Sequence, residues 1–319
     1  MDFIYLIDIK ISFGIMTAII CIIIFVLFIL NIDLCKVASF DALYFFIQTL
    51  FPTLFPFSVL TSILIKTNLS EYIGKIFNRP ANYLLKMPGH SIFVIFISAL
   101  AGFPTGAKLT TLLYNTGEIS KSQAEILCSM SNMPSLAFML FIVGQYSLGS
   151  LWDGLSIWFI ICFSTIISGY LLNIKNRNNL YNNIIKLNIQ KRSILYHINK
   201  SIIDSMFLMI NICALIVFFA CIIAIINNSN LSLYSKNVIT SLLELNNGVS
   251  IINSQYCTNN SIKYIIICTV CAWSGLCVHM QIYNVMSEND LSCKKYFLSK
   301  FICTLLSFIL STLFVLIKK

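Results

Sequence analysis

A short break in an apolar run places polar groups where a membrane would surround them. The run begins at Ile92, the break GFPTG covers residues 102–106, and a positive charge follows at Lys108. A helix broken at membrane depth frees backbone groups that hydrocarbon cannot satisfy, so the break must face protein or a water-filled cavity. The half-helix after the break would point its free N–H groups at the turn, and helix N-termini favour anions. The alternative is a proline kink with Lys108 reaching to an interface. The residues predicted here to bind an anionic substrate are Pro104, Thr105, Gly106 and Lys108.

Three further breaks of the same kind interrupt later apolar runs. They are SNMPS at residues 131–135, NNG at residues 246–248 and WSG at residues 273–275. Serine and asparagine side chains at such breaks are good neutral ligands, and hydrogen bonds between helices are the structural alternative. A histidine after the last break would bind a carboxylate or relay a proton, or else bond a neighbouring helix. The further candidate substrate ligands are Ser131, Asn132, Ser135, Asn246, Asn247, Gly248, Ser274, Gly275, His279 and Gln281.

Glu244 is the acidic side chain that the sequence places at membrane depth, just before one of these breaks. A carboxylate in that position is costly unless it is paired, protonated or bound to a cation. It would neutralise Lys108, carry a coupling proton, or bind Na⁺ together with nearby carbonyl groups. A purely structural ion pair is the alternative. The sequence leaves these roles open.

Composition assigns the chain to the membrane. Of its 319 residues, 58% are hydrophobic and only 10% are charged, which excludes a soluble fold with a polar surface. Lys and Arg outnumber Asp and Glu by 21 to 12, but no basic helix or aromatic RNA-binding motif indicates nucleic acid. Six of the twelve cysteines lie inside apolar runs, and Cys268-x-x-Cys271 lacks a second pair or a histidine at zinc spacing. We therefore expect an all-α polytopic membrane protein without nucleic acid, metal or cofactor.

The apolar runs fall into two similar halves. Residues 40–174 and residues 201–319 each contain a predicted span, a broken re-entrant hairpin, a discontinuous crossing helix and a second span. Residues 1–39 add an N-terminal transmembrane helix, and residues 175–200 form a basic loop between the halves. The expected helical segments are residues 11–30, 42–65, 92–101, 107–115, 126–151, 155–174, 206–226, 238–252, 264–287 and 301–317, with an amphipathic interfacial segment at 69–87 and an exit loop at 144–150.

The distribution of positive charge orients the two halves. Loops rich in Lys and Arg remain in the cytoplasm, and placing residues 175–200 there puts fifteen of the 21 Lys and Arg residues on that face, Lys300 among them. Five lie on the opposite face, and Lys108 is embedded. The first hairpin then enters from the cytoplasm and the second from the opposite face, so the halves are inverted copies. Inverted repeats with paired broken helices are typical of secondary transporters.

Five motifs, in order along the chain, carry a resemblance to a known family. They are LFPTLFPF at 50–57, GFPTGAK at 102–108, SNMPSLAF at 131–138, LLELNNG at 242–248 and WSGLCVHMQ at 273–281. Together they resemble the YlbJ-type sporulation integral membrane proteins of the nucleoside-recognition Gate group, whose hairpins are similar to those of concentrative nucleoside transporters. The second hairpin departs from the family pattern, with Asn246 where a threonine is usual, which leaves its ligand set open.

The resemblance implies a role late in endospore formation, in the mother-cell-derived outer forespore membrane, moving dipicolinate towards the spore. Dipicolinate is a small aromatic dianion, which suits the anion site inferred at Lys108. A secondary transporter of a small organic anion is therefore the first hypothesis, with the bilayer and a coupling proton or Na⁺ as partners. A nucleoside transporter and a non-transporting scaffold for sporulation proteins are the alternatives. We expect no enzyme, because His90, His197 and His279 lie far apart without a nucleophile or metal pattern.

The topology has a direct test. With cysteines introduced by Lys186→Cys and, separately, by Lys236→Cys, a membrane-impermeant maleimide added to intact cells should label the second variant but not the first, relative to the parent protein. The physical reason is the charge bias between the two faces. Labelling of both positions from one side would exclude the inverted arrangement.

Overall fold

The computed structural model describes residues 2–65, 69–174, 193–255 and 260–318, and each element in these ranges is helical. Three π-helical stretches, π1 to π3, continue or replace α-helix. The first half comprises α1 (Asp2–Leu30), α2 (Ile32–Phe45), π1 (Phe46–Leu50), α3 (Phe51–Ile65), α4 (Leu69–Pro80), π2 (Ala81–Leu85), α5 (His90–Ala101), α6 (Thr105–Asn115), α7 (Lys121–Met130), π3 (Phe138–Leu148) and α8 (Leu151–Asn173). The second half comprises α9 (Ile194–Asn228), α10 (Leu233–Leu243), α11 (Leu245–Gln255), α12 (Asn260–Trp273), α13 (Leu276–Ser287) and α14 (Lys294–Lys318).

Several of these helices are long and apolar enough to cross a bilayer. Within the described residues there are five such segments, which confirms the prediction of a polytopic helical membrane protein. They are Ile32–Leu64, Leu151–Asn173, Ile194–Asn228, Asn260–Ser287 and Lys294–Lys318. Shorter apolar helices lie at Ile15–Leu30, His90–Ala101 and Phe138–Leu148.

The first long helix contains two prolines with a threonine between them. Pro52 and Pro56 have no N–H to donate, which frees carbonyl groups one turn earlier. The chain widens into π1 just before them, and the Thr53 hydroxyl donates to the carbonyls of Thr49 (2.7 Å) and Leu50 (3.1 Å). The threonine between the prolines thus adds hydrogen bonds to two carbonyls of the preceding turn.

Three of the four predicted helix breaks lie where the sequence placed them. The first hairpin turns at residues 102–104 between α5 and α6, and the crossing helices break at residues 131–135 and 274–275. The second hairpin was predicted to break at residues 246–248, and this was wrong. Its break is Glu244 alone, since α11 already begins at Leu245. A carboxylate that caps the following helix ends α10 earlier than the Asn-Asn-Gly signal suggested.

Other predicted boundaries also need correction. Residues 144–148 belong to π3 and are not an exit loop, which is confined to Gly149 and Ser150. Helix α2 begins at Ile32, so residues 32–39 are part of the first long helix instead of the extra N-terminal one. Helix α9 begins at Ile194, so Lys200 is helical, while residues 175–192 of the predicted basic loop lie outside the described residues.

The two halves pack against each other through equivalent helices. Helices α2 and α3 contact α9, and α8 runs along α14. In the α8–α14 contact, the hydroxyls of Ser168 and Ser299 lie 2.8 Å apart. At opposite ends of α14, Lys295 pairs with Glu125 at 3.1 Å and Lys318 with Asp153 at 2.6 Å. Small and hydroxylated residues at such contacts let helix backbones approach closely.

Glycines fix the first hairpin against the first crossing-helix break. Gly102 has φ of +78°, and a Cβ there would lie 2.6 Å from the backbone nitrogen of Ser135. A Cβ on Gly106 would overlap the carbonyl oxygen of Ser131. The hairpin tip therefore contacts the break through backbone, and these two positions leave no room for a side chain.

This close approach generates a stability test. We expect Gly106→Ala to destabilise the protein by about 2 kcal/mol or more, because backbone cannot yield as a flexible side chain would. Gly117→Ala, at the other end of α6, is the control, since nothing lies within 4 Å of its Cβ and only its positive φ is strained. That strain should cost about 1 kcal/mol. Thermal unfolding in detergent measures both variants, and a smaller loss in Gly106→Ala than in Gly117→Ala would contradict the packing.

Candidate functional site

All four helix breaks meet around one cavity of about 80 Å³. The hairpin tips contribute Gly102 and Phe103 from the first half and residues 244–246 from the second. The first crossing-helix break contributes Pro134 and Ser135, and the first turn of α13, directly after the second crossing-helix break, contributes Cys277 and Val278. Apolar residues of α3 and α9 close the remaining wall. No single apolar run predicts this convergence, which requires the two halves to interlock.

Four helical segments begin at this cavity. Helix α6 starts after Phe103, α11 after Glu244 and α13 after Gly275, and the helical turn that leads into π3 starts after Ser135. The Ser135 hydroxyl accepts a hydrogen bond from the Phe138 N–H at 3.2 Å, which caps that turn. Helix starts carry a partial positive charge, so the potential in this cavity favours negative groups.

Glu244 is buried at 2% exposure and already uses both carboxylate oxygens. Its Oε1 accepts from the backbone N–H of Asn246 (3.0 Å) and from the Asn246 side-chain amide (2.7 Å). Its Oε2 accepts from the backbone N–H of Asn247 (2.7 Å) and from that side-chain amide (2.9 Å). The carboxylate is therefore the N-terminal cap of α11. Lys108 is not among these donors, so the expected pairing of Glu244 with Lys108 is absent from the structure.

A second cavity, of about 340 Å³, adjoins Glu244 from the other side. It lies between α2, α9 and the second hairpin, and Asp41, Asn227 and Asn247 are among its polar lining residues. Glu244 and Asn246 line both cavities. The capped carboxylate therefore separates a polar pocket on one side from the four-break cavity on the other.

The structure brings only part of the predicted substrate set to the four-break cavity. Ser135, Asn246 and Gln281 line it together with Glu244. The side chain of Lys108 is exposed and is not part of that lining, so the binding role predicted for it at the hairpin tip stays a prediction. Outside the lining, but within the helix breaks or the turn that follows them, are Pro104, Thr105, Gly106, Ser131, Asn132, Asn247, Gly248, Ser274, Gly275 and His279.

Several of these outer residues have structural partners. The Asn132 amide donates to the carbonyl oxygen of Cys128 at 2.6 Å, one turn earlier, and Ser131 lies 3.4 Å from the hydroxyl of Thr110 on the hairpin. Asn132 is fully buried and its Oδ1 has no hydrogen-bond partner among the described residues. The Ser131 contact with Thr110 fits the interhelical role given as the alternative, whereas the Asn132 bond stays within its own segment.

Lys300 is the buried cation that sequence reasoning missed. It was assigned to the cytoplasmic face, yet it is only 2% exposed and donates to Ser274 Oγ at 3.1 Å and to the Ala272 carbonyl at 3.4 Å. Helical periodicity could have identified it, because it shares one face of α14 with small and buried residues. That face comprises Tyr296, Ser299, Lys300, Cys303, Ser307 and Ser311.

His279 lies on the same side of the second crossing helix. Its Nδ1 is 2.8 Å from the hydroxyl of Tyr296, and its ring contacts Trp273 with centroids 4.6 Å apart. Its Nε2 is buried with no partner among the described residues. The residue was predicted to bind substrate or to bond a neighbouring helix, and the bond to Tyr296 on α14 is present.

The capping role of Glu244 can be tested by stability. In Glu244→Gln one oxygen becomes an amide donor that faces the Asn247 donors, so we expect a loss of about 1 to 3 kcal/mol. The matched control is Glu288→Gln, an exposed carboxylate at the end of α13 that accepts from Asn284 at 2.9 Å. That change should stay within about 0.5 kcal/mol. Equal losses of stability in the two variants would show that the Glu244 carboxylate does not stabilise α11 as its cap.

Comparison with known proteins finds no matching family model and no matching solved structure. Over 116 residues the chain is 33% identical to the sporulation integral membrane protein YlbJ of Bacillus subtilis (strain 168). The match covers 35% of this chain and 28% of that protein. This relative is of the type that the sequence motifs indicated, so the resemblance is confirmed. The chain is a multi-pass membrane protein related to the YlbJ-type sporulation integral membrane proteins.

Proposed function

We propose that this protein is a secondary transporter of a small organic anion, and that dipicolinate is its substrate. The observation that carries the proposal is the convergence of four helix breaks on one cavity. Broken helices at membrane depth are expensive unless they are buried in protein or line a water-filled cavity. Substrate sites between discontinuous helices are typical of secondary transporters. Dipicolinate and the outer forespore membrane come from the family resemblance, and the sporulation name of the relative supports that setting.

The order and packing of helices support an inverted-repeat architecture for this transporter. A span, a broken hairpin, a broken crossing helix and a second span occur once as α2 to α8 and again as α9 to α14. Contacts also occur in matching pairs. The second arm of each hairpin touches the end of the other half's crossing helix, as α6 touches α13 and α11 touches π3. Such reciprocal contacts are what a twofold relation between the halves requires.

The charge distribution favours an anion. The positive ends of four helical segments face the cavity, and Lys300 lies buried close behind it. Glu244 occupies one of those helix starts, which makes it the candidate site for a coupling proton or Na⁺. In this proposal the chain moves its substrate chemically unchanged across the bilayer.

A nucleoside is the second candidate because of what lines the cavity. Apart from Glu244 the lining is neutral, and Asn246 and Gln281 offer amides of the kind that bind a base or ribose. A lysine at the hairpin tip would give a neutral nucleoside no advantage, but Lys108 does not line this cavity. The two candidates differ in charge, so one assay separates them.

Uptake into proteoliposomes tests the proposal. The full chain should accumulate labelled dipicolinate when a pH or Na⁺ gradient is imposed, and excess unlabelled dipicolinate should suppress that uptake more than excess uridine does. Empty liposomes and liposomes with a soluble control protein set the background. Uptake of uridine with no uptake of dipicolinate would select the nucleoside alternative, and uptake of neither would refute transport of both candidates.

The same assay examines coupling. In Glu244→Asp the carboxylate is retained but shortened, whereas in Glu244→Gln it is neutral. If Glu244 carries the coupling ion, we expect the neutral variant to bind substrate but to lose the response of uptake to the gradient, with the acidic variant retaining part of it. If uptake by Glu244→Gln still responds to the gradient, a residue other than Glu244 carries the coupling ion.

A further inference from the structure

Lys300 has no carboxylate partner within 4 Å in the part of the chain that the structure describes. An ammonium group carries three protons, and Lys300 directs it to two neutral acceptors, Ser274 Oγ and the Ala272 carbonyl. A charge buried to this degree usually has a counter-charge, because removing it from water is costly. The described part of the protein therefore compensates the charge of Lys300 only in part.

Phe103 contacts both this charge and the cavity. Lys300 Nζ lies 5.3 Å from the ring centroid, within the range of a cation–π contact, and Phe103 itself lines the four-break cavity. The contact crosses between the halves, since Phe103 is the tip of the first hairpin and Lys300 belongs to the last helix. One side chain therefore links a buried cation to the cavity.

A second polar atom beside Lys300 also lacks a partner. When the Tyr296 hydroxyl donates to His279 Nδ1, the proton of the neutral imidazole resides on Nε2. That nitrogen is buried in a residue of 1% exposure, and no acceptor for it exists among the described residues. Both groups belong to the second crossing-helix break, since Lys300 donates to Ser274 and His279 lies in the turn that follows Gly275, and each is a donor that suits a carboxylate.

We propose that Lys300 gives the cavity its preference for carboxylate substrates and that Phe103 covers it until such a substrate binds. The proposal rests on the proposed transport of anions, and it names the residue that distinguishes an anion from a neutral molecule. Lys300 in this role replaces Lys108, which the sequence favoured. The substrate class is a small dicarboxylate, one carboxylate of which displaces the Phe103 ring from the ammonium group.

Binding of a matched pair of probes tests this role. Pyridine-2,6-dicarboxylate and its neutral diamide have nearly the same shape and differ in charge, so their affinities are measured by calorimetry on the purified full chain. Wild type should prefer the dianion. Lys300→Gln should weaken dianion binding by about tenfold or more, the usual worth of a charge-assisted hydrogen bond, and change diamide binding by less than about threefold. Lys300→Arg should keep the preference.

Lys108→Gln is the matched control, since it removes an exposed lysine outside the cavity lining. It should leave the ratio of the two affinities unchanged. An equal loss for both probes in Lys300→Gln would show a structural role only and would overturn the inference. An unchanged ratio of dianion to diamide affinity in Lys300→Gln would also overturn it. A wild-type protein that prefers the diamide would refute the proposed anion transporter itself.

A second variant serves if Lys300→Gln fails to fold. Phe103→Leu leaves the lysine in place and removes its aromatic cover, so binding of the dianion should strengthen by about twofold to threefold over that of the diamide. Phe138→Leu, which changes another ring of the cavity lining, is the control and should alter both probes together. An unchanged ratio in Phe103→Leu would count against the covering role and against access of Lys300 to the cavity.

Discussion

Backbone groups freed by helix breaks must find partners without water, and this requirement organises the interior of the protein. At the second hairpin the Glu244 carboxylate takes the free N–H groups of α11. At the second crossing helix Lys300 takes the carbonyl that α12 leaves open at Ala272. At the first crossing helix the Ser135 hydroxyl caps the next turn. These side chains bind backbone groups at the breaks, since in an apolar medium an unpaired backbone group costs several kcal/mol.

The sequence predicted the breaks better than the side chains that complete them. Proline and glycine interrupt apolar runs visibly, and three of the four breaks lie where these signals placed them. The second hairpin was misplaced because Asn-Asn-Gly is a turn signal, whereas the chain uses the asparagines as donors to Glu244. Asparagine can form a turn or donate to a side chain. Here the carboxylate two residues before Asn246 selects the role of donor.

The buried cation was misassigned for a similar reason. The charge rule counts Lys and Arg by their position along the chain, and it placed Lys300 with Lys294 and Lys295 on the cytoplasmic face. Those two lie at the start of α14, but Lys300 is more than one turn further in and on the face that packs against other helices. Lys108 follows a hairpin tip, where a free helix start suggested burial, yet its side chain points away from the cavity lining. Which face of a helix is buried depends on contacts between the halves, and one apolar run alone does not specify them.

Glu244 and Lys300 are each stabilised by a helix end instead of by each other. Glu244 lies at the start of α11, where the helix dipole is positive, and Lys300 lies at the end of α12, where it is negative. A direct ion pair would cancel both charges and leave neither for a ligand. Helix ends offset part of the burial cost while each charge stays able to bind a further partner. Under the proposed function, a cation or proton at Glu244 and a carboxylate at Lys300 would complete both sites at once. A cation bound at Glu244 would offset part of the negative charge that a dicarboxylate brings to Lys300, which is a physical basis for coupling the two.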